Sequence, residues 1–377
     1  MELIMIKKSS YYMTPKFRKK YFKILLLSIM LLFLLIVFFL SKFYLNKATH
    51  SFKRYSEQKY DEFKIEYYET LIEKDANNYK NYYNLGWLNY KSKNYDRAMY
   101  YFNKSIQLNK NFSDGYIGLA WTYTKGNGLE WPIIRNKDYD KSYYQSFIFF
   151  NRAIEINPNN DKAYAGLGYT LLLLGSPDGA IEYLFKAIGK NSKNDNAYDF
   201  LGWAYYVKND RESAMKNFLK AYEINPKNSD VLYGIGRIYS LKEEGYTGKS
   251  RQYAIDYFKK SISADPSFVE SYNGLGWIFY VNGEYSEAIK YFEEALILKH
   301  DHYLALVGLA RTYLELKDRD KAVELLTRAK KLHPNYREAN EAFAIIYPNA
   351  DIDKILNGTS AQRACPFSAS IPYKLKN

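Results

Sequence analysis

Small residues recur along this chain at a fixed interval of 34 positions. Consecutive members of this column are separated by 34, 48, 34, 34, 40 and 34 residues, so that the two exceptions exceed 34 by 14 and by 6. A fixed period of this length is typical of stacked repeats, in which each unit buries its apolar face against its neighbours. The column consists of Gly86, Ala120, Gly168, Gly202, Gly236, Gly276 and Ala310.

Each repeat carries two helical patterns. Around the first small column, apolar residues lie four positions before, one before and three after, which places them on one face of a helix. A second small column follows, and prolines stand just past its helix at Pro158, Pro226, Pro266 and Pro334. The second small column is Ala98, Ser146, Ala180, Ala214, Ala254, Ala288 and Ala322. Four residues later come Phe102, Phe150, Leu184, Phe218, Phe258, Phe292 and Leu326.

These columns resemble the tetratricopeptide repeat over residues 79–336, about two thirds of the chain. The resemblance implies an all-α fold, in which about seven helix-turn-helix repeats stack into a right-handed superhelical solenoid with a concave groove. Residues 45–78 are predicted to be a helical linker or degenerate repeat, and residues 337–348 a capping helix. Residues 349–377 show no periodicity and are predicted to be a mobile tail.

An apolar stretch near the N-terminus predicts a transmembrane anchor helix. Residues 24–40 are apolar except for Ser28, and aromatic flanks extend the segment to residues 21–44, which reaches the ~20 residues that a membrane helix requires. A cleaved signal peptide is the alternative, but no small-x-small cleavage site follows. Seven Lys or Arg residues precede the stretch and four follow it. We therefore expect a cytoplasmic N-terminus and repeats on the extracytoplasmic side.

The basic charge of the chain is concentrated at its N-terminal end. The net charge is +13, of which residues 1–54 contribute +10 and the remainder only +3. Residues 1–20 are therefore read as a basic N-terminal segment. Because the repeats are nearly balanced in charge, a broad phosphate-binding face is not expected, and nucleic acid is not a predicted partner.

The sequence shows no catalytic constellation, so we predict a protein that is not an enzyme and has no cofactor. The segment from His300 to His302 has a weakly metal-like spacing. Cysteine and clustered carboxylates are absent nearby, so a solvated turn and no metal site are predicted. The single cysteine, Cys365, cannot form an intramolecular disulfide.

The position after the first small column holds four of the five tryptophans of the chain. The resemblance implies that this column and the one three residues later face the concave groove, where partly exposed rings would supply flat binding area. Alternatively, the rings only pack against neighbouring helices, or the 41 tyrosines reflect a biased composition. The predicted groove residues are Trp87, Trp121, Tyr169, Trp203, Arg237, Trp277 and Arg311, with Tyr90, Tyr206 and Tyr280 in the second column.

The groove pattern predicts the class of partner. The family's clamp for acidic C-termini uses lysine at a groove position that here reads Tyr83, Ile117, Ala165, Asp199, Tyr233, Asn273 and Val307. Because no lysine occurs there, we predict instead a membrane-anchored scaffold that binds another protein or an extended peptide through aromatic rings. The alternative is a carbohydrate-binding protein of the cell envelope whose rings stack on glycans. The insertion at 126–140 is predicted either to be a second contact surface or to fold back on its own repeat.

Overall fold

The computed structural model describes residues 59–125, 137–241 and 248–332, and the chain divides into two units at residue 77. The described part of the first unit is one helix, α1, at residues 59–74, within the predicted linker. The basic segment, the anchor at 21–44, the capping helix, the tail and most of the insertion lie outside the described residues. No helix within the described residues is long and apolar enough to cross a membrane.

The second unit contains seven helix pairs over the described residues, and no strand occurs among them. The first helix of each pair, here called an inner helix, is α2 (Tyr79–Lys91), α4 (Ser113–Lys125), α6 (Asp161–Leu173), α8 (Asp195–Val207), α10 (Ser229–Ser240), α12 (Val269–Val281) or α14 (Tyr303–Glu315). The second, or outer, helix is α3 (Tyr95–Leu108), α5 (Lys137–Ile156), α7 (Pro177–Lys190), α9 (Arg211–Ile224), α11 (Gly248–Ala264), α13 (Tyr285–Leu298) or α15 (Arg319–Leu332). The seven predicted repeats are thus present as helix pairs, and α5 begins inside the predicted insertion.

The turns that join the helices are short, and two local features recur in them: asparagine N-caps and left-handed residues. Asparagine side chains accept hydrogen bonds from the first backbone N–H groups of several inner helices, as Asn160 does for α6 and Asn194 for α8. The turn from inner to outer helix places one residue in the left-handed region, with φ of 77° at Gly175 and 75° at Gly283. Glycine suits this conformation because it lacks a Cβ.

The sequence predicts a solvated turn at His302, but the structure buries this residue. Its side chain is 1% exposed, and its Nδ1 accepts a hydrogen bond from the backbone N–H of Ala305 at 3.2 Å, so it caps the first turn of α14. Burial lowers the pKa of His302 to about 4, because the charged imidazolium loses its hydration. His302 is therefore a neutral structural residue, whereas the side chain of His300 is exposed.

The outer-helix phenylalanine column sets the spacing between repeats. Phe218 of α9 is fully buried between Gly202 of its own repeat and Gly234 of the next inner helix. The same arrangement holds for Phe102, Phe150, Phe258 and Phe292, each of which lies against a glycine of the following inner helix. The backbones of consecutive inner helices approach within 8 Å of each other, whereas those of the consecutive outer helices that the structure describes do not. The inner helices therefore line the concave side of the stack.

Candidate functional site

The four tryptophans of the predicted groove column share one packing geometry. Each indole meets the phenylalanine of its own outer helix edge-on, at centroid distances of 5.1–5.5 Å and interplanar angles of 76–83°. The contact holds each indole against the buried phenylalanine of its own repeat, in the edge-on geometry that aromatic pairs favour. The pairs are Trp87–Phe102, Trp121–Phe150, Trp203–Phe218 and Trp277–Phe292.

The tryptophans differ in exposure. Trp87, Trp121 and Trp277 are partly buried. Trp203 is only 1% exposed, because Tyr206 packs against it at 5.5 Å and Tyr233 at 5.9 Å. In this conformation Trp203 therefore belongs to the core, which corresponds to the alternative in which the rings pack against neighbouring helices.

The sequence predicts that the two arginines of the column face an open groove, whereas in the structure one is hydrogen-bonded to a tyrosine and the other is buried. Nη2 of Arg237 donates a hydrogen bond to Oη of Tyr206 at 3.2 Å. Arg311 is 6% exposed, so its guanidinium is largely withdrawn from solvent. Tyr280, also predicted for the groove, packs edge-on against Trp277 at 5.5 Å.

A cleft of about 280 Å³ opens along the inner helices of the first five repeats. Four of its lining residues were predicted from the sequence, namely Trp87, Tyr90, Trp121 and Tyr169. The other five come from α8, from the residue that caps α10, and from the first turn of α10. They are Asn196, Asp199, Phe200, Asn228 and Asp230.

Three rings from consecutive inner helices form one wall of the cleft. Trp121 of α4 lies 5.6 Å from Tyr169 of α6 and 6.1 Å from Phe200 of α8, measured between ring centroids. Tyr169 and Phe200 are 4.6 Å apart with an interplanar angle of 32°. We call Trp121, Tyr169 and Phe200 the ring cluster.

Phe200 is the exception to the glycine rule of the inner helices. Its column holds glycine in repeats 2, 3, 5, 6 and 7, where the preceding outer helix supplies phenylalanine. Before Phe200, the outer helix α7 supplies Leu184 instead. The smaller leucine leaves room for a ring on the neighbouring inner helix, and that ring reaches the cleft. The paired exchange of Leu184 and Phe200 is the sequence signal that could have predicted this wall.

The polar residues of the cleft are amides and carboxylates. Asp199 is 2% exposed, and Asp230 lies in the first turn of α10, where anions are favoured by the helix dipole. The side chain of Asn228 caps α10 by accepting from the backbone N–H of Asp230 at 3.1 Å. The residues that line the cleft include no Lys, Arg or His. Among the residues that the structure describes, no group of three His, Cys, Asp or Glu could hold a metal ion.

Tetratricopeptide-repeat family models match most of the helix pairs. They cover residues 79–112, 149–182, 195–228, 250–299 and 279–344. Among curated proteins, the uncharacterized protein ycf37 of Pyropia yezoensis is 38% identical over 69 residues, which are 18% of this chain and 39% of that protein.

Solved structures of similar fold have low sequence identity. The Cut9–Hcn1 hetero-tetramer of the APC/C gives a TM-score of 0.60 at 16% identity, covering 73% of this chain and 50% of that one. The human IFIT1 dimer with m7Gppp-AAAA gives 0.62 at 18% identity, covering 75% of this chain and 66% of that one. The match thus spans 50% of the Cut9–Hcn1 chain and 39% of the curated relative. At these identities the structural likeness shows the fold alone.

Proposed function

Because this chain belongs to the tetratricopeptide-repeat family, we propose that it is a non-catalytic scaffold that binds an extended peptide segment of another protein along its inner helices. The fold is one that typically serves protein–protein interaction. The observation that carries the proposal is the cleft of about 280 Å³, whose residues come from the inner helices of five consecutive repeats.

The cleft is suited to an extended chain rather than to a reaction. Its lining residues come from five consecutive repeats, so different side chains of a bound peptide would meet different repeats. Partly exposed indoles at Trp87 and Trp121 offer rigid apolar area that gains free energy when it is covered. The lining residues include no Ser, Thr, Cys or Lys beside a base, which nucleophilic catalysis would require.

We also propose that residues 21–44 anchor the scaffold in a membrane, with the repeats on the extracytoplasmic side. Support comes from the apolar stretch at residues 24–40 and from the larger number of Lys and Arg residues before it than after it. A C-terminal fusion to a reporter that is active only outside the cytoplasm tests the orientation. A stable but silent fusion would reverse it.

Site-specific photocrosslinking in intact cells tests the peptide-binding proposal. A benzoylphenylalanine placed at Tyr90, in the cleft, is compared with one at Tyr100, which is 60% exposed on the outer helix α3. We expect defined protein adducts from position 90 that disappear when Trp121→Ala is added, and none of these adducts from position 100. Adducts unaffected by Trp121→Ala would contradict the proposal, and adducts of glycan would favour the carbohydrate-binding alternative.

A further inference from the structure

We infer that the cleft holds a bound peptide by its backbone, through the side-chain amides of Asn228 and Asn196, and therefore takes an internal segment of extended chain in preference to a chain terminus. This inference rests on the proposed function and adds which part of the peptide is recognised. It is carried by one hydrogen-bond donor that is used differently from its counterparts in neighbouring repeats, and by the uncharged amides beside it.

The asparagines that cap the inner helices normally bond in two directions. The Oδ1 atom accepts from the backbone of the helix that it caps, as described for Asn160 and Asn194. The Nδ2 atom donates to an aspartate of the preceding inner helix. This bond is 2.9 Å long from Asn160 to Oδ1 of Asp114 and 2.7 Å from Asn194 to Oδ2 of Asp161. The amide nitrogen of these caps therefore ties consecutive repeats together.

Asn228 makes the first of these bonds without the second. Its Oδ1 accepts from the backbone N–H groups of Asp230 at 3.1 Å and Val231 at 3.4 Å, so the oxygen faces α10 and the nitrogen points away from it. Asp195, on the preceding inner helix, accepts from Nδ2 of Asn225 at 2.7 Å and not from Asn228. Among the residues that the structure describes, none is a hydrogen-bond partner for Nδ2 of Asn228.

This unused donor lies in the cleft, and a second unpaired amide accompanies it. Asn228 is a partly buried residue of the lining, and Asn196 belongs to the lining as an exposed residue in the first turn of α8. Asn196 occupies the repeat position at which Asp114 accepts from the next cap. Its side chain has no hydrogen bond to another described residue. The cleft thus offers amide donors and an amide acceptor that no described protein group uses.

A peptide backbone matches this set of groups. Each non-proline residue carries one N–H donor and one C=O acceptor, so Nδ2 of Asn228 can donate to a carbonyl and Asn196 can pair with both kinds of group. A terminal carboxylate would also accept, but its charge calls for a cationic partner once it leaves water. The residues that line the cleft include no Lys, Arg or His. A neutral carbonyl inside a chain is therefore the better match.

The partly exposed indoles can receive side chains of the same segment. In an extended chain, successive side chains point to opposite faces, and the backbone groups lie between them. Trp87 and Trp121, the latter being the partly exposed member of the ring cluster, line the same cleft as the two asparagines. Apolar side chains of the segment can cover these rings while its backbone meets the amides. The site should therefore tolerate many sequences but depend on the backbone.

An ester scan of a bound peptide tests the inference. A nonapeptide selected from a randomised, N-acetylated and C-amidated library on the full-length protein serves as the probe, and its Kd is measured by fluorescence anisotropy. Each amide is replaced in turn by an ester, which weakens the carbonyl as an acceptor and removes one N–H group. We expect at least one ester position to weaken binding about three- to tenfold, the effect of losing one neutral hydrogen bond.

Variants of Asn228 assign the sensitive position to the cleft. Asn228→Asp keeps the capping oxygen and removes the donor, and Asn228→Ser keeps an uncharged N-cap with a shorter side chain. Each should weaken binding of the amide peptide about three- to tenfold, and the sensitive ester should then cost no more. The matched control is Asn78→Asp, at a cap of α2 outside the cleft lining, where Oδ1 accepts from the N–H of Lys80 at 3.2 Å. It should leave binding and the scan unchanged.

The outcomes separate this inference from the proposed function. Peptide binding that Trp121→Ala abolishes, but that neither Asn228 variant nor any ester weakens, would overturn backbone recognition and leave peptide binding standing. Undiminished ester sensitivity in both Asn228 variants would also overturn it. Tighter binding of a peptide truncated to a free carboxylate at the sensitive residue than of its amide would overturn the preference for an internal segment. Failure to select any peptide, or binding indifferent to Trp121→Ala, would contradict both.

Discussion

Phe218 occupies the space in which Gly234 would otherwise carry a side chain. A Cβ built on Gly234 would lie 2.6 Å from Cζ and 2.7 Å from Cε1 of the phenylalanine ring. Phe218 is fully buried, so the ring has no free space into which it can move. The distance between the outer helix α9 and the next inner helix, α10, therefore depends on the absence of one methyl group.

Adding that methyl group should destabilise the stack. We expect Gly234→Ala to lower the free energy of unfolding by about 1–3 kcal/mol, because an overpacked core must shift side chains or backbone. The control is Gly189→Ala on α7, where nothing lies within 4 Å of the added Cβ. The control should be neutral or stabilising by about 0.5–1 kcal/mol. Denaturant unfolding of both variants checks this prediction, and equal effects would contradict it.

The exchange of Leu184 and Phe200 should behave as a compensated pair. Leu184→Phe alone places two rings where other repeats hold one ring and a glycine, so we expect a loss of about 1–3 kcal/mol in the free energy of unfolding. In the Phe200→Gly background, which has the glycine of the other repeats, Leu184→Phe should cost clearly less. A double-mutant cycle measures the coupling. Strict additivity of the two changes would show that the residues do not compete for the same space.

Trp203 and Trp277 should respond differently to truncation, although they share a column. Trp203→Ala should cost about 3–5 kcal/mol of unfolding free energy, as expected for a fully buried large side chain. Trp277 is partly buried and should cost clearly less when it is replaced by alanine. Thermal unfolding followed by circular dichroism compares the two variants. Equal destabilisation by the two substitutions would contradict the prediction that the fully buried Trp203 contributes more to stability than Trp277.

His302 should make the stability of the repeats dependent on pH. Its pKa is about 4 in the folded chain and 6.5 as the ordinary value, so the unfolded state takes up a proton first as the pH falls. Stability is therefore full above pH 6.5 and is lost between pH 6.5 and 4. The loss from this group is about 2 kcal/mol at pH 5 and about 3 kcal/mol below pH 4.

A variant whose N-cap residue does not titrate checks this prediction. His302→Asn retains an N-cap acceptor but does not titrate, so its melting temperature should fall less between pH 7.5 and pH 5 than that of the parent chain. His300→Asn replaces the exposed histidine of the same turn and should keep the parent's pH dependence. A parent-like pH dependence in His302→Asn would contradict the assignment.

The repeat architecture could be predicted because its signal is periodic. Small residues at one position and large ones four residues later recur in every repeat, because close helix packing requires them, and proline follows the second helix in four of the seven repeats. The tryptophan column could also be recognised from the sequence, because four of its seven members are tryptophan. Two of them, Trp87 and Trp121, line the cleft. Their common contact with the outer-helix phenylalanine was not predicted, because spacing within a repeat does not give ring orientation.

The cleft itself could not be predicted by treating the repeats as equivalent. Phe200 departs from a glycine column, and Asp199 belongs to a column whose residue type varies between repeats, so averaging over repeats hides both. Trp203 fits its column but is covered by Tyr206 and by Tyr233 of the next repeat, so its exposure depends on a neighbour that differs between repeats. The sequence predicts a solvated turn at His302 because the segment lies between repeats, whereas the burial of the side chain depends on how that turn packs in the fold.

The sequence by itself determined the number of helix pairs, their order and the faces that they bury, since each of these follows from local periodicity and from the sizes of residues a fixed distance apart. Only the tertiary structure decided which aromatic rings remain open to a ligand and which carboxylates stand beside them. Exposure and charge at a groove depend on side chains from three or more repeats at once. Their contacts are fixed by the stacking of the helices and not by any single 34-residue unit.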